Sequence, residues 1–164
     1  MSNATFTGGC QCGAVRYRLL DAPYDPHLCH CRMCQKQFGN YFAALATIAH
    51  DKFLVTRGAL SHFQSSSEVS RGFCKDCGTP LTYEPSHRKN ITFANPSLDN
   101  PNAVVPNIQY GTEAVSPSFA SLHALPAYQT GFDAQGNEHV AWRESIAKSA
   151  RQHPDHDTDH WTLK

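Results

Sequence analysis

No stretch of this 164-residue sequence approaches 18 consecutive apolar residues, so no membrane-spanning helix is expected. Neither charge dominates. Lys plus Arg number 14 and Asp plus Glu number 14, which removes the basic footprint of a nucleic-acid binder. Met1 to Gly9 has no charged and apolar leader, so no secretory signal is expected and a soluble, cytoplasmic protein is the default. There is no internal repeat and no low-complexity tract. The length suits one domain able to bury a core without covalent staples. An even cysteine count is missing too: seven cysteines leave one thiol over in any disulfide framework.

What is there is the grouping of those seven. Cys10 and Cys12 form a C-x-C, Cys29, Cys31 and Cys34 a C-x-C-x-x-C, and Cys74 and Cys77 a C-x-x-C. In a reducing compartment clustered cysteines point to metal or catalysis. Residues i and i+2 of an extended segment face one side, so a C-x-C presents two sulfurs to one ion. The C-x-x-C closes as a knuckle, with Gly78 supplying the permissive backbone after it. Pairing the first and last clusters gives a closed four-thiolate site, the arrangement of structural zinc. The middle cluster then has three thiolates and a free position, the signature of a catalytic zinc. His27 and His30 are the local candidates for a fourth ligand. His30, between two ligands, should point away from them. The other pairing, middle with last, crowds five thiols round one ion.

Short alternating or apolar runs imply a mainly β fold. Strands are expected at Val15–Leu19, Tyr41–Ile48, Phe53–Thr56, Leu60–Gln64, Val69–Phe73, Leu81–Tyr83 and Ile91–Phe93, with another near Asn107–Tyr110. Gly8, Gly9 and Gly13 read as turn punctuation. A short helix is expected from Cys31 to Phe38, capped by Gly39. A second spans Glu138 to Ala150, with Trp142, Ile146 and Ala150 on one face. Residues 1–136 are thus expected as a zinc-binding β domain, and residues 137–164 as its carboxy-terminal helix and a loosely held polar tail. His153, His156 and His160 in that tail form a weak metal-binding tract at most.

Three stretches carry a resemblance: Gly8-Gly9-Cys10-Gln11-Cys12-Gly13-Ala14-Val15-Arg16-Tyr17, Cys29-His30-Cys31-Arg32-Met33-Cys34-Gln35-Lys36, and Arg71-Gly72-Phe73-Cys74-Lys75-Asp76-Cys77-Gly78-Thr79-Pro80-Leu81. In the order and spacing of its cysteines the chain resembles the glutathione-dependent formaldehyde-activating enzyme family, which includes relatives of centromere protein V. The resemblance implies a β-tent, small antiparallel sheets pinned by zinc. It implies a structural zinc on Cys10, Cys12, Cys74 and Cys77, and a second, labile and activity-linked zinc on Cys29, Cys31 and Cys34. It further implies a carbon–sulfur lyase that forms or cleaves S-hydroxymethylglutathione, with a small-molecule thiol such as glutathione as partner.

Two departures from the family's pattern bear on substrate: Gln35-Lys36-Gln37 where Arg-Lys-Ser is frequent, and Gln109 where many relatives carry His. A thiol bearing carboxylates needs cations or N–H donors, and Arg32, Lys36, Arg57 and Arg71 lie nearest the motifs. Phe38, Tyr41 and Phe42 could wall a pocket or pack a core. Asp76 reads as a turn residue. The competing readings are a non-catalytic zinc-stabilised scaffold or interaction module, and a redox switch that oxidises the middle cysteines and ejects metal.

Overall fold

The computed structural model describes residues 6–130, 135 and 140–162. Its elements run β1 (Phe6–Gly9), β2 (Arg16–Leu19), β3 (Tyr24–Cys29), α1 (Arg32–Phe38), β4 (Ala43–Ala49), β5 (Phe53–Arg57), β6 (Ser61–Ser66), β7 (Val69–Phe73), β8 (Pro80–Pro85), β9 (Asn90–Ala94), β10 (Ile108–Tyr110) and α2 (Val140–Ser149). They build two sheets: a three-stranded one in the order β1-β2-β5, and a seven-stranded one in the order β10-β3-β4-β9-β8-β7-β6. The expectation of purely antiparallel sheets needs correction at one edge, where β10 runs parallel to β3.

The alternation of residues 16–19 has its expected effect, with Tyr17 and Leu19 buried and Arg18 exposed. Tyr17 stacks on Phe53 at 4.6 Å and tilts against Phe93, joining the small sheet to the large one. Ile48, Leu81, Ile91 and Leu98 fill the rest of this core. Each such side chain, fully buried, contributes about 1.5–3 kcal/mol.

Two strands were not expected. β1 contains Gly8 and Gly9, whose role is close approach: a Cβ on Gly8 would come within 2.5 Å of the Ser97 carbonyl and 2.6 Å of the Tyr17 hydroxyl. β3 contains Pro26 and a positive φ of 49° at Asp25, both loop-like locally, and is held by partners on each side. Helix α1 follows expectation, with Cys31 at its amino-terminal cap and Gly39 left-handed at its end (φ 58°). For α2 the expected start at Glu138 and the 136/137 boundary lie outside the described residues. Its supposed apolar face covers no core, since Trp142 is 67% exposed and Ile146 half exposed. No helix among the described residues is long and apolar enough to cross a membrane.

The tail differs most from expectation. His153 is buried and its backbone N–H donates to Gln11 O at 2.7 Å. The Trp161 indole N–H donates to Cys12 O at 2.6 Å. Arg57, offered above as a site cation, instead binds Gly13 O, His153 and Thr158. Buried Arg16 is flanked by Asp99 and by Asp157 of the tail, at 2.5 and 2.8 Å. These partners are mostly backbone groups and charges far away in the chain, which local composition does not reveal.

Burial alone would push the Asp99 carboxyl up, but hydrogen bonds from Arg16 and Thr7, and the Arg16 charge, hold it below the ordinary carboxylate range. A depressed folded-state pKa gives stability that is complete above the unfolded carboxylate value and is lost as pH falls through the folded one. Asp99→Asn should therefore cost about 2–3 kcal/mol in urea denaturation at pH 7, because it strands a buried guanidinium with Asp157 alone. The gap between variant and wild type should narrow as pH drops below about 4.

Candidate metal centres

The closed cluster is built by two turns from different sheets. Cys10 and Cys12 lie in the turn after β1, closed by Gly13 N–H to Cys10 O at 3.1 Å, and not in the extended backbone expected for a C-x-C. Cys74 and Cys77 lie in the β7–β8 turn, where Gly78 N–H donates to Cys74 O at 2.8 Å and Gly78 has φ 77°. The four sulfurs lie within 4.8 Å of one another. Cys10 and Cys12 sulfurs are 3.6 Å apart, and Cys12 and Cys74 sulfurs 3.8 Å. Sulfurs about 2.3 Å from a tetrahedral zinc stand about 3.8 Å apart, so the donor set fits that ion. None of the seven cysteines is in a disulfide. Burial pushes the Cys10 and Cys12 thiols up. At Cys77 burial works the same way, but the Thr79 hydroxyl and backbone N–H groups pull the thiol down to about 6. A bound cation would resolve this conflict by taking all four as thiolates.

The open cluster spans three kinds of backbone. Cys29 ends β3, Cys31 caps α1, with its sulfur accepting from Cys34 N–H at 3.4 Å, and Cys34 sits one turn into the helix. Their sulfurs also lie within 4.8 Å of one another. A hydrogen bond from Cys34 brings Cys29 down to about 5, and the same contact pushes Cys34 up. The pair thus shares a proton that a metal would displace. Neither histidine joins the sulfurs. His30 is fully buried and points away as expected, its Nε2 2.8 Å from Gln109 Oε1 and its ring against Phe42 and Phe119. His27 lies outside the three-sulfur group, with Nδ1 2.7 Å from the Asp25 carbonyl.

The three thiols line a cleft of about 540 Å³, together with His27, Arg71, Tyr83, Arg88 and Tyr110 among others. Arg71 is 2% exposed, with both terminal nitrogens 3.9 Å from Cys34 Sγ and its guanidinium 5.0 Å above the Tyr83 ring. Arg32 and Lys36 line a second cavity of about 330 Å³ next to the first. Phe38 packs against the core around Cys34, and Phe42 against His30 and Phe119, so both are packing residues. Tyr41 is half exposed and lines neither cavity. Asp76 is exposed in its turn. Of the two departures, Gln35 donates to the carbonyls of His30 and Ala114 and Gln37 lines the second cavity, while Gln109 meets His30. Tyr83, Arg88 and Tyr110 were not foreseen, and His27, offered above as a candidate fourth ligand, is a lining residue. Arg71 opposite Tyr83 follows only from the β7–β8 register.

A sequence model described as glutathione-dependent formaldehyde-activating enzyme matches residues 5–113. An uncharacterised lyase of Schizosaccharomyces pombe is 28% identical over 90 residues, 55% of this chain and 65% of that one. A Halomonas elongata protein, provisionally named a glutathione-dependent formaldehyde-activating enzyme, is 34% identical over 82 residues, 45% of this chain and 52% of that one. The chain thus spans between half and two-thirds of the length of these relatives. The crystal structure of a Rhodobacter sphaeroides protein, 27% identical, superposes with a TM-score of 0.51 over 63% of this chain and 98% of the other.

Gly111 follows β10 with φ 68°, and a Cβ there would come within 2.7 Å of Cys31 N. Gly111→Ala should cost at least about 1–2 kcal/mol in thermal or urea unfolding, from left-handed strain plus the clash. The amide signals of Cys29 to Cys34 should shift most in NMR spectra.

Proposed function

The chain belongs to the glutathione-dependent formaldehyde-activating enzyme family, and from that premise we propose that it is a zinc-dependent carbon–sulfur lyase that forms or cleaves a thiol–aldehyde adduct such as S-hydroxymethylglutathione. Residues 1–136 form the zinc-binding β-tent, with residues 137–164 as its helix and tail. Cys10, Cys12, Cys74 and Cys77 hold a structural zinc, and Cys29, Cys31 and Cys34 hold the second, reactive one. The observation that carries this reading is the opening of three convergent thiols onto a cleft beside buried Arg71. The relatives named as a lyase and as a formaldehyde-activating enzyme support it.

In the reaction the thiol sulfur bonds to the aldehyde carbon, the C=O becomes C–OH, and the sulfur's proton ends on the new oxygen; cleavage is the reverse. Cys29, Cys31 and Cys34 would hold the zinc, which would favour the thiolate, nucleophilic form of an incoming thiol. The chain's own groups do the rest. Arg71 balances the negative charge of the cysteines, and Tyr83 beneath fixes its plane. His27 faces a pure acceptor at Nδ1, which assigns its proton there and leaves Nε2 as the basic nitrogen. Nε2 takes the thiol's proton and returns it to the adduct oxygen. The cleft walls hold the two reactants together, and proximity contributes much of the acceleration.

The purified protein should bring two equivalents of zinc by elemental analysis. Cys34→Ala should retain one, and Cys74→Ala should unfold or lose both. By exchange NMR with formaldehyde and glutathione, the wild type should accelerate adduct exchange at least tenfold over Cys34→Ala. Equal rates would sink the lyase reading. His27→Gln should slow exchange by about 10²-fold, the usual worth of a positioned base.

A further inference from the structure

Asp25 is the only residue other than glycine with a positive φ among the described residues, at 49°. The left-handed region is unfavourable for a residue with a Cβ, though Asp and Asn enter it more readily than most. Pro26 adds to the conflict, because a residue before proline ordinarily holds extended backbone. The β3–β4 register also shifts between Tyr24 and His27. A bulge re-aims the side chains beside it, and bulges and strained residues gather at active sites.

What this bulge aims is visible in its contacts. Two oxygens of Asp25 face one imidazole nitrogen: His27 Nδ1–H donates to Asp25 O at 2.7 Å, and Asp25 Oδ2 lies 3.5 Å from the same nitrogen. A carbonyl and an ionised carboxylate can only accept, so both favour the tautomer with its proton on Nδ1. The remaining carboxylate oxygen, Oδ1, accepts from the Tyr110 hydroxyl at 3.0 Å. The Tyr110 ring meets the His27 ring edge to face, with centroids 4.9 Å apart. Tyr110 is itself pinned. It stands opposite Cys29 in the β10–β3 register, and its carbonyl accepts from His30 N–H at 2.9 Å. Asp25, His27 and Tyr110 thus close a circuit of contacts, and all three line the cysteine cleft. Filling the core does not explain it, since the Asp25 side chain and Tyr110 are both more than a third exposed.

We propose that the Asp25 bulge, braced by the Tyr110 hydroxyl, is a positioning device that holds the His27 ring in one plane and one tautomer, leaving Nε2 as the acceptor. Asp25 and Tyr110 are positioning residues that act through His27. This rests on the reading of His27 as the base of the cleft.

The test reads the tautomer and the rate separately on the zinc-loaded full chain. Long-range proton–nitrogen NMR of histidine labelled with ¹⁵N, at about pH 8 where imidazole is neutral, should find His27 almost wholly protonated on Nδ1. Asp25→Ala removes the carboxylate and disfavours the left-handed backbone. It should give a mixture of tautomers and lower kcat for adduct exchange about tenfold, with KM within about twofold, the pattern of a lost transition-state contribution. Asp25→Asn keeps an acceptor oxygen and tolerates the backbone, so it should restore the tautomer and most of the rate. Tyr110→Phe removes one hydroxyl from a partly exposed ring. It should shift the tautomer in the same direction, and it serves if Asp25→Ala does not fold. An unchanged His27 tautomer in both Asp25→Ala and Tyr110→Phe, or a loss that Asp25→Asn does not restore, overturns the device. If the tautomer follows Asp25 and Tyr110 while the wild type shows no adduct exchange, the device stands and the lyase reading fails. Exchange that proceeds while the tautomer ignores both residues has the opposite meaning.

Discussion

Four sulfur atoms crowded into a buried turn-on-turn contact set the terms for the rest of this molecule. Buried thiols resist ionisation, and neighbouring thiolates repel one another. Yet here the turn after β1 and the turn between β7 and β8 are aimed so that their sulfurs nearly touch. A divalent cation is the ordinary chemical answer to such an arrangement. A cation held there would join the three-stranded sheet to the seven-stranded one, which the Tyr17–Phe53–Phe93 ring contacts also bridge. Around the same point gather Arg16 with its two carboxylates and the tail residues His153 and Trp161.

The second cluster follows a different logic. Its cysteines come from a strand end, a helix cap and a helix turn, and Cys29 and Cys31 stay half-buried on the cleft while Cys34 is buried behind them. One cluster has its surroundings closed by protein groups, and the other has them left to solvent and to whatever enters the cleft. Arg71 occupies the boundary: packed like a core residue, but charged and aimed at sulfur.

How much of this could be read from the sequence depends on the range over which each signal acts. The cysteine spacings are local and specific, and both thiol groups assembled as read. α1 was equally plain, since its cap and stop are adjacent residues. Val69–Phe73, a strand with partners on both sides, was found to the residue. β1 and β3 were missed because glycine, proline and a positive φ speak against a strand locally, while the neighbours that hold them lie far along the chain. The role of Arg71 needed the register that sets it over Tyr83, and a lone arginine in a strand carries no such mark. The tail was misread for the same reason: its anchors are carbonyls and charges 96 to 149 residues away.

That last anchoring has a consequence for the order of assembly. Every element of the two sheets precedes residue 111, so the sheets can pair while the remaining chain is still emerging from the ribosome. The cover over Cys12 and Gly13 cannot form until Trp161 exists, because the contact spans 149 residues. Contacts of such separation are slow to close and come late. During synthesis there is thus an interval in which the first two cysteines are placed but not yet roofed. Metal entry, or oxidation of those thiols, has its widest access then.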